Sequence, residues 1–151
     1  WYYTDPPHNS PITHDNYHTG FVLDSIEDYC RNTGDDKYQE HYNSGLVYYK
    51  KNLFTRDYAP KWMFDKIYPH DIHGVAQGII TFSKACRYSE SYIDLAKNIA
   101  NWGINNLYDN NGNFFYQQGK FLKKRYTLMR WCQAWMCFAL SNLIVEINKK
   151  Y

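Results

Sequence analysis

No stretch of this sequence is apolar for long enough to cross a bilayer. The longest run, around Trp131 to Leu140, is interrupted at Gln133. Nor is there an excess of one charge: 17 Lys and Arg face 15 Asp and Glu, for a net charge of +2, with the two signs interspersed along the chain. Neither a membrane nor a nucleic acid is therefore an expected partner. The four cysteines, Cys30, Cys86, Cys132 and Cys137, include no C-x-x-C pair, and each falls in a helical pattern. They read as reduced core thiols of a cytoplasmic protein rather than as a disulfide framework. A Ser-His-Asp order, a phosphate-binding glycine loop and a dinucleotide fingerprint are all missing, so no cofactor is expected. Residue 1 is Trp with no signal peptide pattern after it, which leaves room for a natural start upstream.

What the chain does have is aromatic side chains, 19% of its residues, with 16 Tyr and 5 Trp. That exceeds what the core of one domain of 151 residues needs. Tyr and Trp combine a flat apolar face with a polar tip, which suits sugar stacking or wet interfaces as well as helix packing.

An internal period organises the rest. Asp15 and Asp71 lie 56 positions apart, as do Cys30 and Cys86 (each followed by Arg) and Gln77 and Gln133. His18 and Arg130 are separated by twice that, 112. A spacing held without drift marks one supersecondary unit used repeatedly, and this length fits a helical hairpin with one short and one long connection. Apolar periodicity predicts helices over about residues 16–31, 37–52, 72–87, 89 or 91–108, and 128–149. The last of these is apolar on nearly every side and is expected to lie in the middle of the fold. Long connections cover residues 53–70 and 109–126, and Asn110-Asn-Gly112 followed by Asn-Phe-Phe-Tyr116 reads as a small β-hairpin in the second.

Asp15, Asp71 and Thr127 occupy the same place in the repeat, immediately before each odd-numbered helix, where Asp and Thr serve as N-caps. The long connections all open on that end of the array. Tyr3, Trp62, Tyr116, His18, His73, Arg130 and the two aspartates are thus expected on one face. Converging helix N-termini add positive potential there, suited to hydroxyl-rich or anionic ligands.

Three motifs in order carry a resemblance: Asp15-Asn-Tyr-His-Thr-Gly-Phe21, Tyr68-Pro-His-Asp-Ile-His73 with Ala76-Gln77, and Met129-Arg-Trp-Cys-Gln-Ala-Trp-Met136. Alternating inner and outer helices with loops on one rim resemble the six-hairpin (α/α)6 toroids, which include glycoside hydrolases, unsaturated glucuronyl hydrolases and sugar 2-epimerases. Within that group the motifs are similar to a poorly characterised family found near polysaccharide-biosynthesis genes and often labelled delta-aminolevulinic acid dehydratase. That label does not suit this chain, because the dehydratase is an α/β barrel with Schiff-base lysines and nothing here alternates strands with helices. The resemblance implies an all-α fold, a partial (α/α) toroid of about five helices. Residues 1–151 form one segment of it, the C-terminal part of a longer chain. It implies a sugar or oligosaccharide ligand and hydrolase or epimerase-like chemistry. The open side of the ring would be covered by an upstream toroid half or a partner copy.

Candidate residues follow. His18 and His73 can serve as acid and base, since imidazole titrates near neutrality, and a histidine pair does this in epimerases of the resembled fold. Asp15 and Asp71 are the rim carboxylate pair that hydrolysis would need, with Asp57, Asp65 and Asp109 as looser loop candidates; both of the pair are also plain caps. Arg130 can clamp a carboxylate or phosphate, or form an ion pair with Asp15 or Asp71. Gln77 and Gln133 either orient ligand hydroxyls or tie inner helices together. Tyr3, Tyr116 and Trp62 are the stacking candidates, whereas Trp131 and Trp135 read as core. Asp71-Ile-His73, with His70 nearby, lacks a defined third and fourth ligand, so no metal is expected. The alternative to an enzyme is a non-catalytic glycan-binding or structural segment completing a larger toroid.

Overall fold

Residues 1–6 and 9–149 are described by the structure, a computed structural model. Five α-helices carry the fold: α1 Asn16–Thr33, α2 Gln39–Asn52, α3 Ile72–Ala85, α4 Ser91–Leu107 and α5 Trp135–Asn148. The sequence period placed each of them to within a few residues, except at the start of the last. There the chain enters through a π-helical turn, Met129–Ala134. Leu128 is extended (φ −111°, ψ 121°), and its carbonyl accepts from both Cys132 N (2.8 Å) and Gln133 N (3.3 Å), which widens the first turn. Thr127 consequently does not cap the helix as the repeat predicted; its hydroxyl donates to the Phe114 carbonyl at 2.8 Å.

The middle of the fold is α3, not the last helix. Every residue of α3 except Lys84 is buried, as its nearly all-round apolar sequence requires. Helices α1 and α5 flank it, α2 packs on α1, and α4 packs on α3 and α5. Because α5 ends the row, only one side of it is covered. Met136, Ala139 and Leu143 are buried, while Phe138, Ile144 and Val145 are 52%, 56% and 53% exposed. None of the four cysteines forms a disulfide: Cys132 is buried in the core and Cys86 packs half-buried against it, its thiol donating to Glu146 Oε2 at 3.7 Å, so the expectation of four core thiols fails for half-buried Cys30 and exposed Cys137. Cys137 lies on the uncovered side of α5 and is exposed.

Helices α1 and α3 approach closely at Gly20, where a Cβ would lie 2.4 Å from Gln77 Cγ. Beyond it the seam is polar. Gln77 Nε2 donates to Asp24 Oδ2 and to Thr81 Oγ1, both at 3.0 Å. Lys84 then pairs with Asp28 at 3.0 Å and Arg87 with the buried Glu27 at 2.5 Å. Burial pushes the Asp24 carboxyl up to about 6, against the pull of Lys84 and of the Thr81 and Gln77 hydrogen bonds.

The two long connections repeat one device. In the first, Met63 pairs antiparallel with Asp15, and the Trp62 carbonyl accepts from Asn16 N at 3.3 Å. In the second, Gln117 pairs with Asp71, and the Tyr116 carbonyl accepts from Ile72 N at 3.1 Å. Each connection thus pins the start of the inner helix of its own hairpin unit. The second forms a small antiparallel sheet of β1 His70–Asp71, β2 Gln117–Gln118 and β3 Lys123–Lys124, in that order. The predicted turn at residues 110–112 is present, with Asn110 at φ 63° and Gly112 at φ 98°, but it is closed by a single bridge, Tyr108 to Phe114. The hairpin ladder lies later, between β2 and β3.

Candidate active site

The starts of α1 and α3 and the π-helical turn come together at one end of the helix row. Asp71 is the N-cap of α3, and its carboxylate accepts three bonds: from His73 N at 2.8 Å, Trp131 Nε1 at 3.1 Å and Gln117 Nε2 at 2.7 Å. It therefore joins three segments at once. Burial raises its pKa, and those same donors pull it back.

His73 occupies the centre. Its ring stacks on Tyr17 (centroids 5.0 Å apart, 13° between planes) and on Trp135 (4.8 Å, 28°). Trp131 meets it edge-on at 4.2 Å and Phe21 at 5.6 Å. The residue is 2% exposed, and neither Nδ1 nor Nε2 has a hydrogen-bond partner among the described residues. Burial, reinforced by repulsion from His18 and opposed by Asp15, pushes its pKa down to about 4. The imidazole is neutral at neutral pH, which leaves one ring nitrogen a free base.

His18 lies one ring away, against Tyr17 at 4.3 Å and Phe21 at 5.9 Å. Asp15, the N-cap of α1, accepts from His18 N through Oδ1 at 2.9 Å and from His18 Nδ1 through Oδ2 at 2.7 Å. The Tyr3 hydroxyl contacts both Asp15 Oδ2 and His18 Nδ1. With Nδ1 held by the carboxylate, Nε2 is the nitrogen His18 has to offer, on a side chain 48% exposed. Burial, together with the bond to Asp15, raises the pKa of Tyr3, so its proton stays on the phenol. Tyr3, Asp15 and His18 line a cavity of about 230 Å³.

On the other side of Trp131, a cavity of about 380 Å³ is lined by Tyr116, Leu128, Arg130 and Trp131. Arg130 is exposed and forms no ion pair among the described residues. Asp15 and Asp71 are not its partners, because their acceptors are engaged elsewhere. Tyr116 packs on Tyr126 at 5.3 Å, and Lys124 Nζ stands 5.4 Å over its ring.

The remaining candidates sit apart. Gln77 is fully buried in the α1–α3 seam, where it ties the two helices. Gln133 is half-buried, with Nε2 buried and unpartnered among the described residues. Trp62 is half-buried and contributes its backbone carbonyl to the start of α1. Asp57 bonds Thr55 at 2.5 Å, Asp65 bonds Thr13 at 3.0 Å, and Asp109 closes the turn to Asn113. A separate cavity of about 400 Å³, bounded by Trp1, His14, Glu40 and Tyr48, takes no lining from α3 or α5. Among the described residues no group of three His, Cys, Asp or Glu side chains is placed to hold a metal ion, and no helix is long and apolar enough to cross a membrane.

Sequence reasoning missed Tyr17 and Phe21; Trp131 and Trp135, read as core, do pack half-buried against it and also border His73. The period held a usable signal, since Tyr17 precedes His73 by 56 positions and so occupies the same place in the preceding repeat.

No model of a known protein family matches the sequence, and no curated protein does. Among solved structures the fold is similar to the crystal structure of D-mannose isomerase, with a TM-score of 0.79 at 13% identity. The match covers 91% of this chain and 38% of that one, so this chain spans well under half the length of that structure. The likeness establishes the fold as part of an (α/α) toroid.

Proposed function

We infer that this chain forms part of a sugar-acting toroid enzyme, in which His73 and His18 carry protons to and from a carbon next to a carbonyl, as in an isomerase or epimerase. The observation that supports this best is His73 itself: neutral, enclosed by four aromatic rings, and with both nitrogens unpartnered among the described residues. Buried polar groups are almost always hydrogen-bonded, and an orphan at the rim of the helix row is accounted for by a ligand that supplies the partner. Tyr17, Phe21 and the two tryptophans are themselves only half-buried, so aromatic surface beside His73 reaches solvent, where a sugar ring can stack. His18, with Asp15 behind it, supplies the second proton carrier through Nε2. The fold's likeness to a D-mannose isomerase supports the same class of substrate.

Hydrolysis is the weaker form of this proposal. It requires one carboxyl free to donate a proton and another near the glycosidic carbon. Asp71 is saturated by three donors, and Asp15 is held by His18 and Tyr3. A non-catalytic role, as a segment completing a larger ring, draws support from the uncovered apolar side of α5. Incubating the protein with a panel of aldoses, ketoses and oligosaccharides in deuterated water separates these readings. Deuterium entering the carbon beside the carbonyl, lost by at least about a hundredfold in His73→Gln, is the expected result. Bond cleavage without exchange, or neither, would overturn it.

A further inference from the structure

Resting on the proposal that a sugar is handled beside His73, the charge around the second cavity narrows what that sugar carries. The two charge signs are interspersed over the chain as a whole, but not on this rim. From Asn110 to Val145 there is no Asp or Glu, while Lys120, Lys123, Lys124, Arg125 and Arg130 all fall within it. Three of these cations are occupied locally. Lys123 Nζ donates to the Asn106 carbonyl at 2.5 Å, Lys124 Nζ to Gln117 Oε1 at 2.9 Å, and Lys120 lies 5.2 Å over the Phe121 ring. Arg125 and Arg130 have no such partner among the described residues, and of the two it is Arg130 that lines the cavity of about 380 Å³ with Tyr116, Leu128 and Trp131.

Trp131 fixes that cavity relative to the chemistry. Its indole meets the His73 ring edge-on with centroids 4.2 Å apart, and its Nε1 is anchored on Asp71. A sugar against His73 therefore extends past Trp131 toward Arg130. A guanidinium presents a fork of donors that fits the paired oxygens of a carboxylate or phosphate better than single hydroxyls. Lys124, over Tyr116, adds to the field without competing for the same contact. The carboxylate expected to neutralise Arg130, had it been structural, is Asp15 or Asp71, and both are committed elsewhere.

We propose that the sugar taken at this site bears an anionic substituent, a carboxylate or a phosphate ester, and that Arg130 is the residue that selects it. Arg130 is a binding and specificity residue here; the proton transfers stay with the histidines.

The test uses the complete protein and matched neutral and charged sugars: a hexose, the corresponding hexuronate and the corresponding hexose 6-phosphate. Turnover is read as deuterium exchange and binding by calorimetry, with inorganic phosphate as competitor. The expected result is a preference for one charged sugar of at least about tenfold in kcat/KM, abolished in Arg130→Met mainly through KM. Preference for the uronate indicates a carboxylate, and preference for the ester together with competition by inorganic phosphate indicates a phosphate. Equal use of the neutral hexose, or a preference unchanged in Arg130→Met, overturns the proposal. Should no sugar be turned over, the acid–base reading fails on its own. The binding arm still decides this proposal: charged-sugar binding lost in Arg130→Met supports it, and no selective binding ends it. Because Arg130 is exposed and has no hydrogen bond or ion pair among the described residues, the variant is expected to fold, with an unchanged near-ultraviolet circular dichroism spectrum.

Discussion

Tyr17 and His73 stack face to face across the α1–α3 boundary, with centroids 5.0 Å apart and planes 13° from parallel. One comes from each of two successive repeats, at the same repeat position. The pair organises the site: His18 packs against Tyr17, Trp135 stacks on His73, and Trp131 meets both rings edge-on.

The first consequence concerns protonation. Folded, His73 holds its proton only below about 4, whereas unfolded it titrates near 6.5. The unfolded chain binds more protons between those values, so the stability His73 contributes is complete above the unfolded value and lost as pH falls toward the folded one. Titration of the His73 imidazole by NMR is expected to show a midpoint well below the ordinary histidine value. A His73 midpoint at or above the ordinary value contradicts the enclosed geometry.

Asp24 works in the opposite direction. Its folded pKa is raised to about 6 from 3.8, so its contribution is present below the unfolded value and lost as pH rises through the folded one. Asp24→Asn is expected to keep the Gln77 contact and to be neutral or stabilising at pH 7, by up to about 1 kcal/mol. Thermal melts at pH 7 and pH 4.5 check this; a loss of stability larger than that at pH 7 would mean the ionised carboxylate is a net asset to the seam.

Gly20→Ala places a methyl 2.4 Å from Gln77 Cγ and 3.0 Å from the Tyr49 hydroxyl, in a fully buried seam. Gln77 cannot retreat without losing its bonds to Asp24 and Thr81. A destabilisation of roughly 1–3 kcal/mol is expected from urea unfolding, and an unaffected midpoint would show that the two helices have slack.

Asp71→Ala removes the cap of α3 and strands the Trp131 and Gln117 donors. The expected cost is roughly 2–4 kcal/mol. Hydrogen exchange should quicken at the start of α3 and in residues 117–124 together, since one carboxylate holds both. Exchange confined to α3 would mean that the sheet stands without it.

Much of this was legible in the sequence, for one reason: the repeat is enforced by geometry. Asp15 and Asp71 are at one period because each caps an inner helix, and the same spacing located four helices closely. What escaped the sequence depended on breaks in that symmetry. Thr127 stands where a cap should be but turns to Phe114, because the extended Leu128 starts a π turn instead. The apolar periodicity of α5 could not show that the other described helices cover only one side of it. The histidines, Asp15 and Asp71 were found as candidates, but the aromatic enclosure of His73 was not. Aromatic residues at helical spacing look the same whether they fill a core or enclose a ring.

The most direct measurement is a structure of the complete protein with a sugar or inert sugar analogue bound. The account predicts a sugar carbon or its hydroxyl within about 3.5 Å of a His73 ring nitrogen. The ring should lie along Trp131 or Trp135, with His18 Nε2 on the approach and Arg130 at the far end. A sugar bound elsewhere, with His73 still enclosed by its four aromatic neighbours and both nitrogens empty, would contradict it.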